Sequence, residues 1–170
     1  MTRLTRTFTD AGVVLVILLI GAASIRPACA ERLTRGIGAN YKGDYTQVVG
    51  KLAPAAARGN AWAQGQLGFM YENGFGVPQN YVAAADLYRS AAEQGDTFAQ
   101  SRLGLSYDRG HGVRADLILS YKWLDLAAAR ASGRERDFYR RLRDAVASKM
   151  TSAQIFEGQR LALIWASGGW

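Results

Sequence analysis

The segment AWAQGQLGFMYENGFGV, residues 61–77, decides the fold, because it returns thirty-six positions later as TFAQSRLGLSYDRGHGV, residues 97–113. When residues 61–96 are laid over residues 97–132 without a gap, ten positions are identical. The identical positions hold alanine, glutamine, leucine, glycine, tyrosine and valine, which are residues that build structure. Self-similarity at a fixed period of this length is typical of repeat architectures. We therefore interpret the two segments as two copies of one structural unit.

Each unit is predicted to consist of two antiparallel helices. Apolar residues recur at positions i, i+4 and i+8 in the first half of each unit, which is the spacing of one helix face. These residues are Ala63, Leu67 and Tyr71 in the first copy and Ala99, Leu103 and Tyr107 in the second. Asn80 and Asp116 are good N-cap residues for the second helices, which are expected at about 80–94 and 116–131.

Glycines indicate where the units turn and where their helices touch. Glycine inside a helix costs about 1 kcal/mol relative to alanine, so Gly68 and its counterpart Gly104 predict a closely approaching neighbour helix. Gly74 is expected to end its helix with a positive φ. The loop GFGVPQN has the composition of a phosphate-binding loop, but no strand precedes it and it recurs with a different tip. We interpret it as a turn.

The pattern AxAQxxLGxxYxxGxGV, followed by Asn or Asp at a helix start and by two alanines before the next unit, resembles the Sel1-like repeat. This repeat is a relative of the tetratricopeptide repeat, and the resemblance covers residues 44–131. It implies an all-α fold, namely a short α-solenoid of antiparallel helix pairs. With no alternating pattern that would predict a strand, about seven helices and no sheet are expected.

The segment after the repeats is predicted to close the stack with a C-terminal capping helix pair, because a solenoid must cover its last apolar surface. Thr151 and Gln154 form a capping box that begins the final helix. The buried face of this helix is expected to hold Ile155, Gly158, Ala162 and Trp165. That of the preceding helix is expected to hold Phe138, Leu142, Ala145 and Val146.

The first thirty residues read as a secretory signal peptide. Two arginines precede an uncharged run of 15 residues at 11–25, and Ala28-Cys29-Ala30 follows as a cleavage site. The alternative is a membrane anchor, but a bilayer-spanning helix needs about 20 residues. The chain thus divides into a signal peptide at 1–30, a linker at 31–43, repeats at 44–133 and a helical cap and tail at 134–170. Its expected location is periplasmic or secreted, with membrane attachment only if the signal segment is retained.

The mature sequence offers little for catalysis. Cleavage removes the only cysteine and lowers the net charge from +7 to +5, because three arginines and one aspartate leave with the signal peptide. His111 is the only histidine and is expected to be a solvated turn residue, with a catalytic base as the alternative. The carboxylates of Glu72, Asp86, Glu93 and Asp108 are expected on solvated helix surfaces. We expect no enzyme activity, no cofactor, no metal and no nucleic-acid partner.

The resemblance implies a module that binds a protein or peptide on the concave face formed by the first helices. The residues expected to line this face are Trp62, Gly65, Phe69, Glu72, Phe98, Ser101, Leu105 and Asp108. A different interpretation is that the large side chains among them pack between neighbouring repeats. An alternative function is that of a cell-wall glycan-binding or cell-wall-modifying factor, which the export signal and the aromatic residues would suit.

We predict that the exported protein begins at Glu31, because the cleavage site ends at Ala30. Intact-mass measurement of the protein recovered from the cell envelope or medium tests this. A different first residue, or recovery only as an integral membrane protein, would contradict it.

Overall fold

The computed structural model describes residues 45–168, which form seven helices and no strand. The helices are α1 (Tyr45–Ala57), α2 (Ala61–Asn73), α3 (Tyr81–Glu93), α4 (Thr97–Arg109), α5 (Leu117–Arg130), α6 (Gly133–Ala147) and α7 (Ser152–Ala166). The predicted all-α fold is confirmed. The signal peptide expected at 1–30 and the linker at 31–43 lie outside the described residues. Between residues 45 and 168, no helix has the length and apolarity needed to cross a membrane.

Helices α1 to α5 form a solenoid in which each helix packs against the next along the chain. The first repeat is the pair α2 and α3, the second is α4 and α5, and α1 takes the place of a preceding second helix. Asparagine or aspartate caps each of the four repeat helices, since its side chain accepts a hydrogen bond from the amide three residues on. The capping residues are Asn60, Asn80, Asp96 and Asp116.

Two glycines inside the first helices lie where the helices of one repeat touch. A Cβ atom at Gly68 would lie 2.8 Å from the Tyr88 ring and 3.2 Å from the carbonyl oxygen of Ala84. At Gly104 it would lie 2.8 Å from Leu124 and 3.1 Å from a backbone carbonyl of α5. The predicted close approach of the neighbouring helix is therefore confirmed in both repeats.

The loop glycines Gly76 and Gly112 bring each repeat against the start of the preceding second helix. Both have φ of 72°, and a Cβ atom on either would collide with backbone atoms, those of Tyr45 at Gly76 and those of Tyr81 at Gly112. Glycine is required here for positive φ and for close backbone contact at once. The loop is thus an architectural turn, and its second glycine also joins two units.

A glutamine that recurs in both repeats contacts the C-terminal end of the preceding second helix. The side chain of Gln64 donates a hydrogen bond to the carbonyl oxygen of Ala56 at 3.2 Å, and Gln100 donates to that of Ala92 at 3.2 Å. These carbonyls lie in the last turns of α1 and α3, and each also accepts a hydrogen bond from the backbone amide of the glycine that follows the helix, Gly59 or Gly95. Each repeat therefore holds the preceding second helix near both of its ends.

The two terminal helices close the stack by packing mainly against α5. Tyr121, Leu124 and Val146 form the centre of this contact, and Ile155 of α7 packs against it. The predicted buried face of α7 is confirmed by the burial of Gly158 and Ala162. The capping box at its start is present as well.

The predicted buried face of α6 is wrong at two positions. Phe138 is 47% exposed and Ala145 is exposed, whereas Tyr139 and Val146 are buried. Tyr139 packs on the alanines near the end of α5, and its hydroxyl donates a hydrogen bond to Glu135 at 2.9 Å. The helix is therefore rotated so that a tyrosine, with its polar end satisfied locally, replaces Phe138 in the core.

We predict that Gly112→Ala lowers the free energy of unfolding by at least about 2 kcal/mol, because positive φ and a backbone collision both oppose a Cβ atom. Gly50→Ala is the matched control. A Cβ atom there meets nothing within 4 Å, so this change in α1 should stabilise the helix by about 0.5–1 kcal/mol. Urea unfolding followed by circular dichroism measures both, and equal effects would contradict the prediction.

Candidate functional site

The residues predicted for the binding face lie along α2 and α4, but their exposure differs. Gly65, Phe98 and Ser101 are buried. The partly exposed members are Trp62, Phe69, Glu72, Leu105 and Asp108. A Cβ atom at Gly65 would lie 3.4 Å from the Phe98 ring, so these two residues belong to the packing between successive first helices. The role of the whole set in binding stays a prediction.

A row of aromatic rings leads from the surface at this face into the core. We call Tyr45, Phe75, Phe69, Phe98 and Tyr88 the aromatic row. Its ring centroids are 4.8, 5.9, 6.2 and 6.3 Å apart in that order, with the first pair stacked and the others edge-to-face. Exposure falls from 40% at its first ring to 0% at its last. Aromatic pairs at these separations contribute beyond the area that they bury.

The second repeat begins an equivalent row with Tyr81 and His111. Their ring centroids are 4.4 Å apart, and the two residues occupy the positions of Tyr45 and Phe75 one unit later. His111 lies in the turn, as expected, but its ring is half-buried and packs against a tyrosine. Leu105 stands where the first repeat has Phe69, so no third ring continues the row.

Glu72 lies at the centre of a polar network that joins three helices. The hydroxyl of Tyr88 in α3 donates a hydrogen bond to its carboxylate at 2.6 Å. Arg102 in α4 donates two more, one of them from Nε at 3.0 Å, and its guanidinium lies 5.3 Å from the centroid of the Phe69 ring. The side chain of Glu72 is only 13% exposed, so charge-assisted hydrogen bonds hold α2, α3 and α4 together.

Asp108 repeats this arrangement with a different cation. Lys149, which follows α6, donates to both of its carboxylate oxygens at 2.7 and 2.9 Å, and the Asp108 side chain is 15% exposed. The expectation of solvated carboxylates is therefore wrong for Glu72 and Asp108. Each is neutralised by a cation from a later helical layer, a long-range pairing that residue spacing within one repeat does not reveal.

The network keeps its charges in defined states. Burial raises the pKa of the Tyr88 hydroxyl well above its ordinary value, so this group stays protonated and donates. Burial lowers the pKa of Arg102, but Tyr88 and Glu72 raise it by more, and the net pKa lies above the ordinary value. Within the described range 45–168, no group of three His, Cys, Asp or Glu side chains is placed to hold a metal ion. The arrangement is suited to holding a surface in a fixed shape.

The comparisons with known proteins identify the repeats. The family model described as the Sel1 repeat matches residues 63–96 and 97–132. These residues form two Sel1 repeats. Sel1 repeats generally serve as protein–protein interaction modules, and proteins of this kind are typically non-catalytic scaffolds.

Solved structures that resemble the chain include two bacterial repeat proteins. One is a protective antigen of uropathogenic Escherichia coli strains that displays an SLR fold. It is 29% identical with a TM-score of 0.70, and the match covers 80% of this chain and 28% of that chain. The other is a Sel1 repeat protein from Oxalobacter formigenes, 38% identical with a TM-score of 0.48, over 49% of this chain and 63% of that one. This chain thus matches only 28% of the length of the antigen. A search of the curated proteins found no match.

We predict that Tyr88→Phe changes how stability depends on pH. A raised pKa in the folded chain means that the contribution of Tyr88 is fully present below about pH 10 and is lost as pH rises toward the folded-state pKa. The stability advantage of the original chain over Tyr88→Phe should therefore shrink above pH 10, by up to about 1.4 kcal/mol per pH unit. Urea unfolding at pH 8, 10 and 11 measures this difference, and a constant value would contradict the prediction.

Proposed function

We propose that this chain is a non-enzymatic interaction module of the cell envelope, and that a protein or peptide partner binds on the face formed by its first helices. The observation that supports this most directly is the pair of partly exposed aromatic residues Trp62 and Phe69, two turns apart on α2. Tryptophan and other rigid side chains of this kind carry much of the affinity in protein interfaces. We call Trp62, Phe69 and Leu105 the first-helix surface.

The first-helix surface is supported by a fixed framework. Phe69 lies against the edges of two other rings of the aromatic row and beneath the guanidinium of Arg102. Phe98, one of these two rings, is itself buried and lies against Gly65. A surface whose shape is already set loses little conformational entropy when a partner binds.

The ion pairs also define the partner that this surface suits. Glu72 and Asp108 are each paired within the chain, so they do not require basic groups from a partner. An apolar or aromatic side chain placed against Trp62 and Phe69 would bury surface without stripping water from an unpaired charge. We therefore propose apolar anchors on the partner. Placement in the envelope rests on the sequence of residues 1–30 alone.

The partner can be identified by site-directed cross-linking in intact cells. A photoreactive amino acid at position 62 tests the first-helix surface, and the same group at position 136 on α6 is the control, because Arg136 is exposed and distant in sequence. A protein adduct formed from position 62 and not from position 136 supports the proposal. Adducts of equal yield from both positions would oppose it, and an adduct with glycan alone would favour the cell-wall function.

We predict that Trp62→Ala weakens binding of the identified partner by about 30-fold or more, equivalent to about 2 kcal/mol. The thermal midpoint should stay near that of the original chain, because Trp62 is only partly buried. Phe69→Ala should weaken binding as much and also lower stability, since Phe69 packs within the aromatic row. Titration calorimetry and thermal unfolding measure the two effects.

Phe98→Ala serves as the core control for this pair. Phe98 is 5% exposed, so its loss should cost about 3–5 kcal/mol of stability. If Trp62→Ala instead unfolded as early as Phe98→Ala while its folded fraction bound normally, the tryptophan would be a core residue and the site would lie elsewhere.

A further inference from the structure

A cleft of about 540 Å³ opens where the loop between α4 and α5 meets α3. It is lined by Arg89 of α3, Tyr107 of α4, the loop residues 112–116 and Leu119 of α5. None of these residues belongs to the first-helix surface. Two of the lining side chains are arginines, Arg89 and Arg114.

The two arginines differ in how many of their N–H donors already form hydrogen bonds within the chain. Arg89 donates a hydrogen bond to Asp86 at 2.8 Å, and Tyr107 lines the cleft with it. Arg114 is exposed, and within residues 45–168 its guanidinium has no hydrogen bond or ion pair. A guanidinium has five N–H donors, so most donors of the pair remain available to a ligand in the cleft.

The repeat provides an internal comparison that separates these arginines from the needs of the fold. One unit earlier, Ala53 and Pro78 occupy the positions of Arg89 and Arg114. The backbone of the two loops is the same, with a φ of 72° at Gly76 and at Gly112 and the same N-cap bond after each loop. The turn therefore forms without the arginines, and the charged cleft is an addition at the second repeat.

The remaining groups around the cleft indicate the class of ligand. Val113, Ala115 and Leu119 give it apolar walls that suit the methylene groups of a side chain. Asp116 lies at its edge, where its carboxylate accepts the helix-capping hydrogen bond from the amide of Leu119 at 3.0 Å. Together with Asp86, this carboxylate would repel a phosphate dianion more strongly than a singly charged group. Guanidinium groups bind carboxylates through two parallel hydrogen bonds.

We propose that this cleft binds a carboxylate side chain of an acidic peptide segment, with Arg114 as the principal contact and Arg89 as the second. This site is separate from the proposed function at the first-helix surface. Loss of one site should leave the other intact, so the failure of either proposal can be recognised by itself.

The test uses the purified chain and a fluorescent acetylated peptide of alternating aspartate and serine, with the asparagine version as its neutral counterpart. Fluorescence anisotropy gives the Kd at physiological salt. Arg114→Gln should weaken binding of the acidic peptide by about tenfold, because one bidentate charge-assisted contact is lost. Arg136→Gln is the matched control, since it removes the same charge from another exposed arginine, and it should change the Kd by less than about twofold.

Equal losses in Arg114→Gln and Arg136→Gln would overturn the proposal, because the attraction would then be a general effect of net charge. Stronger competition by inorganic phosphate than by glutarate would also overturn it in favour of a phosphate site. Trp62→Ala should bind the acidic peptide normally. Amide chemical-shift changes centred on residues 112–116 are expected, and changes centred on α6 would contradict the location.

Arg114→Gln is expected to fold, since its side chain is exposed, and an unchanged thermal midpoint checks this. Arg89→Lys is a second variant that keeps the charge but loses the fork of donors. It should weaken binding of the acidic peptide while leaving the weak binding of the neutral peptide unchanged. Unaltered binding in both variants would overturn the proposal.

Discussion

The contact on which this structure depends is the one between a loop glycine and the beginning of the preceding second helix. Gly112 lies against the backbone of Tyr81, and Gly76 lies against that of Tyr45. At the other end of those helices, the side chain of a repeated glutamine donates a further hydrogen bond to a backbone carbonyl. The two contacts fix the position and the rotation of each unit relative to its neighbour. Every other contact between the repeats forms within the register that they set.

The candidate binding surface is a product of that register. The loop tips bring Phe75 over Tyr45 and His111 over Tyr81 only because the adjacent glycines allow the backbones to meet. The same spacing places Arg102 of one repeat beside Glu72 of the preceding one. The binding surface therefore depends on the contacts that join the repeats. Changes that loosen the glycine contact would also disturb the aromatic row and the ion pair that support Phe69.

Local rules account for what could be predicted from the sequence. The helix starts at Asn80 and Asp116, the glycine turns and the close contact at Gly68 each depend on residues within one unit, and each was predicted correctly. The pairing of Asp108 with Lys149 joins residues 41 positions apart, and no periodic pattern contains that information. Phe75 and His111, at the tips of the two loops, are different residue types. Both have planar rings, but this shared property indicates a common packing role only when the tyrosines that face them are known.

At the far end of the stack, the means of joining changes. Among residues 45–168, no glutamine side chain bonds a carbonyl at the end of α5, and the two later helices pack on α5 through Gly158 of α7 and Tyr139 of α6. The contacts that end the stack thus differ from those that join its repeats, as expected for a unit whose outer side faces water.

At the loops, backbone contacts join the units, whereas the side chains at the loop tips differ between units. This division has an evolutionary consequence. Because the glycine and glutamine contacts recur at both junctions, a duplicated unit can be inserted without a new interface having to be invented. The loop tips are then free to diverge, as Pro78 and Arg114 have done at equivalent positions. Such a chain can lengthen by duplication of a repeat and acquire a new binding preference at one junction, while the older junctions keep their own binding preferences.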